Sequence, residues 1–469
     1  MGYARIAQLA GISLLLGCAA RTTGLEEPTA SADTAHHGHV MPPPDTVRAA
    51  LPGEPSGPSP AMKHDLVMLE IGGGWMAIGM AQAFPTGTVS MPADDGTPLE
   101  RRGLYVTQPA LMINVESPGS GISFRTTLNF EGITQPGGEL TFGAWGEGFL
   151  DKRHPHTFVH EAMISANVWS SDGGGFSLSA GKGFAPYGTD DPMSRPIIKY
   201  PTNHHLSQIL ERFTLNAVYT TPLWSAEVGV FGGNEPTGPW DFSNAESFAN
   251  SWSARISRHF GTGSMHVWTW EVAGSVARVK EEHGDDEPAR VTNLFNVLLR
   301  HEKDYPFGHL YALGEGSWSD PKESDGFFSV VAEASVQRGA HKPYGRIEYA
   351  TRPEYPREGA PHTRDFFRYD HDAEPIASTQ WLTLTGGYGV SATRLPFSVR
   401  PYVEVQWHRV VSERGDVGPD LLFGRKSFWS LSAGARVFLG GEPMRMGAYG
   451  VLDAMTLMHR MEMTGHAGH

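Results

Sequence analysis

The chain has a single cysteine, Cys18. One thiol excludes an internal disulfide and a cysteine-based zinc site. No block of Lys and Arg stands out in a chain of net charge −14, which argues against a nucleic-acid partner. Beyond the N-terminal leader, no apolar run reaches the ~18 residues that a membrane-spanning helix needs. No G-x-S-x-G nucleophile motif occurs, so the sequence predicts no enzyme.

Glycine and aromatic residues are abundant, although the chain is only mildly hydrophobic. It has 56 Gly and 12 Trp among 469 residues, 40% hydrophobic residues and a mean hydropathy of −0.30. This mixture is typical of a β-protein that places apolar residues on one face of each strand and polar residues on the other.

The N-terminus has the form of a targeting signal. Arg5 precedes the apolar segment "IAQLAGISLLLG", which has the length of a signal-peptide core. The segment ends in "LLGC", which looks like a lipobox and predicts lipidation of Cys18; the alternative is ordinary cleavage after "CAA", at Ala20. We predict a signal peptide at 1–17 and a disordered, lipidated periplasmic linker at 18–62, because the linker is rich in Pro, Ser, Ala and Gly.

From residue 63 onward, apolar and polar residues alternate. In "FSVRPYVEVQW", from Phe397 to Trp407, every second residue is apolar or aromatic on one face, as in a tilted membrane-spanning strand. Similar segments recur, including 139–149, 427–439 and 443–453. They predict an all-β, transmembrane, antiparallel up-and-down barrel of about 16–18 strands over 63–453. A soluble sandwich or propeller is the alternative, but no fixed repeat supports it.

The polar face of an alternating barrel belongs to the lumen, because a charge facing lipid at mid-depth costs ~2–4 kcal/mol. Acids and bases on this face would oppose each other across a narrow space and sort small polar solutes. The alternative is a lumen filled by salt-linked side chains. The predicted lumen residues are Glu227, Arg255, Glu271, Glu333, Arg346, Glu348, Arg400, Glu404 and Arg436.

Histidine and methionine are enriched at both ends of the chain. Thioether sulfur suits Cu(I), and imidazole suits copper, zinc or nickel. Both ends of an even-stranded barrel lie on the periplasmic side, so copper or another divalent metal is a candidate ligand there. The alternative is a pair of polar tails without metal. The candidate ligands are His36, His37 and His39 in the linker, and Met455, Met458, His459, Met461, Met463, His466 and His469 in a C-terminal tail at 454–469.

The segment "RHPHTFVHEAM" concentrates three more histidines. A metalloprotease helix would need a second His where Ile164 stands, so that motif is absent. Strand alternation predicts His160 on the apolar face and Glu161 on the lumen face. His154 and His156 precede the strand, in a turn or at the rim.

This segment, with "FSLSAGKGFAPYGTDDPMSRP" and "NHHLSQ", resembles a porin-like outer-membrane family of unassigned function. The resemblance implies an outer-membrane barrel and a metal-related context, with Thr157 and Leu206 departing from the family pattern. A rim metal site formed by His154, His156, His204 and His205, with Asp190 or Asp191, is one hypothesis; structural rim histidines are the other. The matching positions are Arg153, His154, Pro155, His156, Glu161, Arg195, Pro196, His204 and His205.

The leading functional hypothesis is a lipid-tethered, porin-like barrel in the outer membrane of a Gram-negative bacterium, which passes or binds small polar solutes or ions and has a link to copper handling. Its partners would be outer-membrane lipid and small polar solutes or metal ions. The second hypothesis is a barrel that anchors metal-binding His/Met tails in the periplasm. An outer-membrane enzyme is the least favoured hypothesis.

Overall fold

The alternating segments form long antiparallel strands in a computed structural model of the protein. Within residues 62–469, the structure describes 67–91, 102–117, 119–134, 157–171, 173–189, 191–197, 201, 204–236, 240–241, 245, 247–261, 269–282, 288–321, 326–354, 377–394, 397–414, 426–440 and 445–453. The predicted linker, the predicted C-terminal tail and the predicted strand at 139–149 fall outside these ranges.

Eighteen strands and two short helices make up the regular structure of the described residues. The strands are β1 Val67–Gly72, β2 Trp75–Met91, β3 Arg102–Ser117, β4 Ile122–Asn129, β5 Val159–Ser171, β6 Gly174–Gly183, β7 Arg212–Thr220, β8 Trp224–Phe231, β9 Ser251–Phe260, β10 Trp270–Glu281, β11 Arg290–Tyr305, β12 Gly308–Pro321, β13 Phe327–Gln337, β14 His341–Glu354, β15 Ala377–Val390, β16 Ala392–Arg394, β17 Phe397–Arg414 and β18 Ser427–Leu439. The helices are α1 Glu131–Thr134 and α2 His204–Ser207. Neither helix has the length and apolar character needed to cross a membrane, and the described ranges hold no helix that does.

Neighbouring strands in sequence are neighbours in the sheet, and the sheet closes on itself. Every pairing is antiparallel, and β18 pairs with β2 from Trp429↔Met91 to Leu439↔Ala81. Among the described residues, β1 pairs with β2 alone, and β16 continues β15 along β17, which leaves 16 strands in the wall. The predicted up-and-down barrel is therefore confirmed.

The two faces of each strand differ as the alternation predicts. On β17, Val403 and Val405 are exposed on the outside of the barrel, whereas Arg400, Tyr402 and Glu404 are buried on the inside. Successive side chains of a strand point to opposite faces, so one strand supplies both surfaces. The outer surface is consequently apolar and the inner surface polar.

Connections of very different length alternate along the chain and define two ends of the barrel. Residues 118–121, 172–173 and 306–307 are short connections between consecutive strands, at what we call the turn end. The connections 130–158 and 184–211 are long and lie at the opposite, loop end.

Two segments leave the wall and are buried inside the barrel. The first, here the inward loop, spans 184–211 between β6 and β7, and nearly all of its described residues are buried. The second, here the C-terminal segment, spans 445–453 after β18 and contains a short 3-10 turn at Gly450–Leu452. The predicted strand at 443–453 is wrong for its described part. Gly447 and Gly450 have positive φ angles of 87° and 60°, which extended backbone does not adopt, and β18 has already closed the wall.

A methionine-rich cluster packs the two inward segments against the wall. Met193 and Leu210 come from the inward loop, and Met446 and Tyr449 come from the C-terminal segment. They contact a group of buried wall residues that comprises Met80, Ala110, Met112 and Met163, together with Phe184. The interior of the barrel therefore contains a hydrophobic core on one side.

Candidate functional site

The candidate site is the interior of the barrel, where the predicted lumen charges lie. All nine predicted residues belong to wall strands and face inward; Arg255 is half-buried and the other eight are buried. Their placement agrees with the alternation, and their role in lining a conducting path stays a prediction.

Two of the predicted acids pair with bases on the adjacent strand of the wall. The guanidinium of Arg255 donates to both carboxylate oxygens of Glu227, at 2.7 and 2.9 Å. Arg346 donates to Glu333 at 2.8 Å. Both pairs sit directly opposite each other in the sheet register. These charges compensate each other along the wall, rather than opposing each other across open space.

Arg195, on the inward loop, reaches across the interior. Its guanidinium lies 3.5 Å from Glu315 on β12 and 4.0 Å from Glu333 on β13. Arg436 on β18 also binds the inward loop at this point, because it donates to the backbone carbonyls of Arg195 and Pro196, at 3.2 and 2.8 Å. The inward loop thus connects β6 and β7 to strands far around the barrel.

The charge of Arg195 is secured by its surroundings. Burial alone would lower the pKa of its guanidinium, but Glu333 and Glu315 raise that pKa above its ordinary value. Arg195 belongs to the family-like motif and is not one of the nine lumen charges predicted from the sequence. The sequence feature that could have identified Arg195 as an interior charge is an arginine followed by proline in a loop rich in Gly and Pro.

The prediction that His160 faces lipid is wrong, because β5 contains a bulge. Thr127 pairs with Glu161 and the next residue, Leu128, pairs with Val159, so His160 is the extra residue. A bulge re-aims side chains in its strand. His160 and Glu161 are therefore both fully buried on the interior side, although they are adjacent in sequence.

His160 lies between two carboxylates that belong to the inward loop. Its Nδ1 is 2.7 Å from Glu211, which must accept the hydrogen bond, and its Nε2 is 3.5 Å from Asp191. Glu211 also accepts from the backbone N–H and the hydroxyl of Thr157, at 3.0 and 2.6 Å. Lys182 donates to that hydroxyl at 2.6 Å. These contacts fix the end of the inward loop, at Glu211, and its middle, at Asp191, to residues of the wall and its edge.

This cluster does not have the arrangement of a metal site. No group of three or more His, Cys, Asp and Glu side chains among the described residues could hold a metal ion. The bonds of His160 and Glu211 go to protein groups, so the cluster has a structural role in positioning the inward loop.

The C-terminal segment is fixed to the wall by charged side chains. Asp453 accepts from Arg125 on β4 at 2.6 Å, and Arg125 also donates to Glu161 at 3.1 Å. At the other end, Arg445 pairs with Glu271 on β10 at 2.8 Å. Burial alone would lower the pKa of Arg445, but Glu271 raises it above its ordinary value.

The predicted metal ligands cannot be located in the same way. His154 and His156 lie outside the described residues, and His204 and His205 fall in α2 without described side chains. The tail ligands also lie outside the described ranges. All of these metal sites stay predictions. The residues concerned in the tails are His36, His37, His39, Met455, Met458, His459, Met461, Met463, His466 and His469.

Comparison with known proteins finds similarity only at the level of solved structures. No family model matches the chain, and no curated protein matches it. An anion-selective porin from Comamonas acidovorans is similar at 13% identity and a TM-score of 0.43, over 78% of this chain and 99% of that one. Outer-membrane-expressed OmpT of Vibrio cholerae has 10% identity and a TM-score of 0.44, over 79% and 99%. The outer membrane channel DcaP of Acinetobacter baumannii has 10% identity and a TM-score of 0.46, over 79% and 99%.

Proposed function

We propose that this chain is an outer-membrane channel that passes small polar solutes or ions through a narrow, charged lumen. The observation that carries the proposal is a closed wall of strands with an apolar exterior and a charged interior. A closed barrel satisfies all backbone hydrogen bonds within the wall, which a segment in lipid requires.

The exterior supports membrane lipid as the surrounding medium. Large apolar side chains such as Val228, Val297 and Val403 are 55%, 64% and 52% exposed on three different strands. A soluble protein rarely exposes apolar residues on strand after strand, because contiguous apolar patches favour association. The same surface is favourable in contact with acyl chains.

The charged interior supports small polar solutes or ions as the permeating species. The wall charges are largely compensated, as in the Glu227–Arg255 and Glu333–Arg346 pairs, so a strong preference for one sign of charge is not expected. The inward loop and the C-terminal segment occupy part of the cross-section. We therefore expect a low conductance and exclusion of large solutes.

Reconstitution of the full-length chain in planar bilayers tests the proposal. Discrete, small current steps are expected, together with swelling of liposomes in small sugars. Arg195→Gln should shift the reversal potential in a KCl gradient toward cation permeation, because Glu315 and Glu333 then lose a compensating charge. Lys280→Gln, which neutralises a half-exposed lysine of another pair, is the control. A correctly folded barrel that passes neither current nor sugars would contradict the proposal.

Metal binding by the two His/Met-rich tails is a second proposal, which rests on their composition. Deletion of 454–469, combined with replacement of His36, His37 and His39 by Ala, should abolish Cu(I) and Cu(II) binding by the purified chain. Binding measured by equilibrium dialysis that is unchanged in this variant would contradict it.

Lipidation of Cys18 is proposed from the lipobox alone. Cys18→Ser should abolish metabolic labelling of the chain with palmitate in a bacterial host. Labelling that persists would contradict the lipid anchor and favour cleavage at Ala20.

A further inference from the structure

We propose that the C-terminal segment, residues 445–453, is an internal plug that closes the lumen and is displaced when the channel conducts. This inference rests on the proposed channel function. The segment follows the last wall strand, β18, and its contacts with the wall hold it inside the barrel in the closed state.

The two ends of the segment are attached to opposite sides of the barrel. Arg445 pairs with Glu271 on β10, and Asp453 pairs with Arg125 on β4. Five strands lie between β4 and β10 in a wall of 16. A chain that joins two strands so far apart around the wall must cross the interior.

The middle of the segment joins the wall to the inward loop. The hydroxyl of Tyr449 donates to Glu161 at 2.9 Å and accepts from the backbone N–H of Phe184 at 3.0 Å. Burial and the neighbouring Glu161 raise the pKa of Tyr449 well above its ordinary value, so the hydroxyl stays protonated and able to donate. Arg255 also approaches the carbonyl of Gly447, at 3.5 Å. One continuous set of contacts therefore holds the segment, the inward loop and the wall together.

The segment fits closely against β6. A side-chain Cβ on Gly450 would lie 2.1 Å from the hydroxyl oxygen of Ser177, and the N–H of Val451 donates to that oxygen at 3.0 Å. The segment is therefore in direct contact with the wall at β6.

Departure of the segment would leave the wall intact. Strands β18 and β2 close the barrel through their own pairing, and the segment adds no strand to the sheet. Met446 and Tyr449 belong to an apolar cluster that includes Met80, Met112 and Met163, whose flexible side chains repack more readily than branched ones. The specific anchors are the polar contacts of Arg445, Tyr449 and Asp453.

The first experimental variant weakens both ends of the plug without changing the wall. Arg445→Gln with Asp453→Asn removes the two ion pairs and keeps the side-chain sizes. The control is Lys280→Gln with Glu282→Gln, which neutralises a half-exposed pair at 2.8 Å on β10 and the residue after it. All proteins are full-length, carry Cys18→Ser and are checked for barrel folding by heat-modifiable migration.

The second variant locks the plug in place. The Cβ of Val451 lies 3.3 Å from the ideal Cβ position of Gly175 on β6, close to the separation found in disulfides. Gly175→Cys with Val451→Cys, added to the weakened variant, should form a disulfide that retains the segment. Reduction should release it again.

The measurement is time-averaged conductance in planar bilayers. The weakened variant is expected to conduct about ten-fold more than the wild-type chain. Loss of the two ion pairs destabilises the closed state, so the population with the segment displaced rises. Oxidation of the locked variant should return conductance to the wild-type level, and dithiothreitol should restore it. The Lys280/Glu282 control should behave as wild type.

Two results would overturn the inference. Equal conductance of the wild-type, weakened and oxidised locked proteins would show that the segment does not close the lumen, while the channel function would stand. In the weakened variant, reaction of Val451→Cys with an impermeant maleimide would show that the segment is displaced. If every folded variant then still passed no current, the channel function itself would be refuted.

Discussion

His160 is the residue on which the position of the inward loop depends most directly. The bulge in β5 turns its ring inward, where it contacts Glu211 at one end of the loop and Asp191 within it. Two buried carboxylates beside one imidazole are stable only while that imidazole is present, because buried charges need partners.

His160→Ala should therefore destabilise the barrel by about 3–5 kcal/mol, the usual loss when one partner of a buried ion pair is removed. The measurement is guanidinium unfolding of the detergent-folded protein, followed by tryptophan fluorescence. His259→Ala is the matched control, since His259 is also buried on the interior side but bonds to the hydroxyl of Ser225 at 3.2 Å. The stability lost in His259→Ala should be smaller, because a neutral hydrogen bond contributes only ~0.5–1.5 kcal/mol. Equal losses in the two variants would contradict the role assigned to His160.

The orientation of His160 could not be predicted from the sequence, whereas that of Glu161 could. Strict alternation gives the correct side for Glu161 and the wrong side for its neighbour, because a bulge shifts the register by one residue. The bulge is stabilised by carboxylates that lie 31 and 51 residues further along the chain, Asp191 and Glu211. No local pattern around His160 contains that information.

At the scale of the strand, alternation determines which face meets lipid. Strand β17 shows this over its middle, with Val403 and Val405 exposed outside and Arg400 and Glu404 buried inside. Val411 is the extra residue of a bulge opposite β15 and is also exposed. Val403 lies near the middle of the strand, and Val411 lies close to its loop end. The membrane proposal implies that the two positions differ in depth.

Val403→Arg should consequently cost ~2–4 kcal/mol of barrel stability in lipid vesicles, and Val411→Arg only ~0–1 kcal/mol. Urea titration in phosphatidylcholine vesicles measures both, with Val→Ala at each position correcting for the lost side chain. A barrel that tolerates arginine equally at the two depths would contradict the assignment of this surface to the bilayer.

The same alternation misled the prediction at 443–453. The described part of that segment, 445–453, has apolar residues at intervals that suit a strand, but two glycines with positive φ bend it, and the wall is already complete. Closure depends on β2 pairing with β18 across almost the whole sequence, a property that no window of residues contains. Sequence therefore predicts the wall well and predicts poorly which segments fill it.

For the whole molecule, the interior contents decide how the barrel works. The wall alone, with its exposed valines outside and its charged residues inside, would describe an open channel. The inward loop and the C-terminal segment change this, because Arg195 and Asp453 tie them to strands on distant sides of the wall. The proposed closed state thus depends on the C-terminal segment inside the barrel and not on the strand pattern.

Two truncations separate the plug from the tail that follows it. Removal of 454–469 keeps Asp453 and its bond to Arg125 at 2.6 Å, so this variant should conduct no more than the full chain. Removal of 445–469 also eliminates the pair between Arg445 and Glu271. The conductance should then rise to the level of the weakened variant, Arg445→Gln with Asp453→Asn. Both truncations end after β18, so wall closure through β18 and β2 should persist and can be checked by heat-modifiable migration. If the shorter truncation alone already opened the barrel, the closing element would lie in the tail rather than in 445–453.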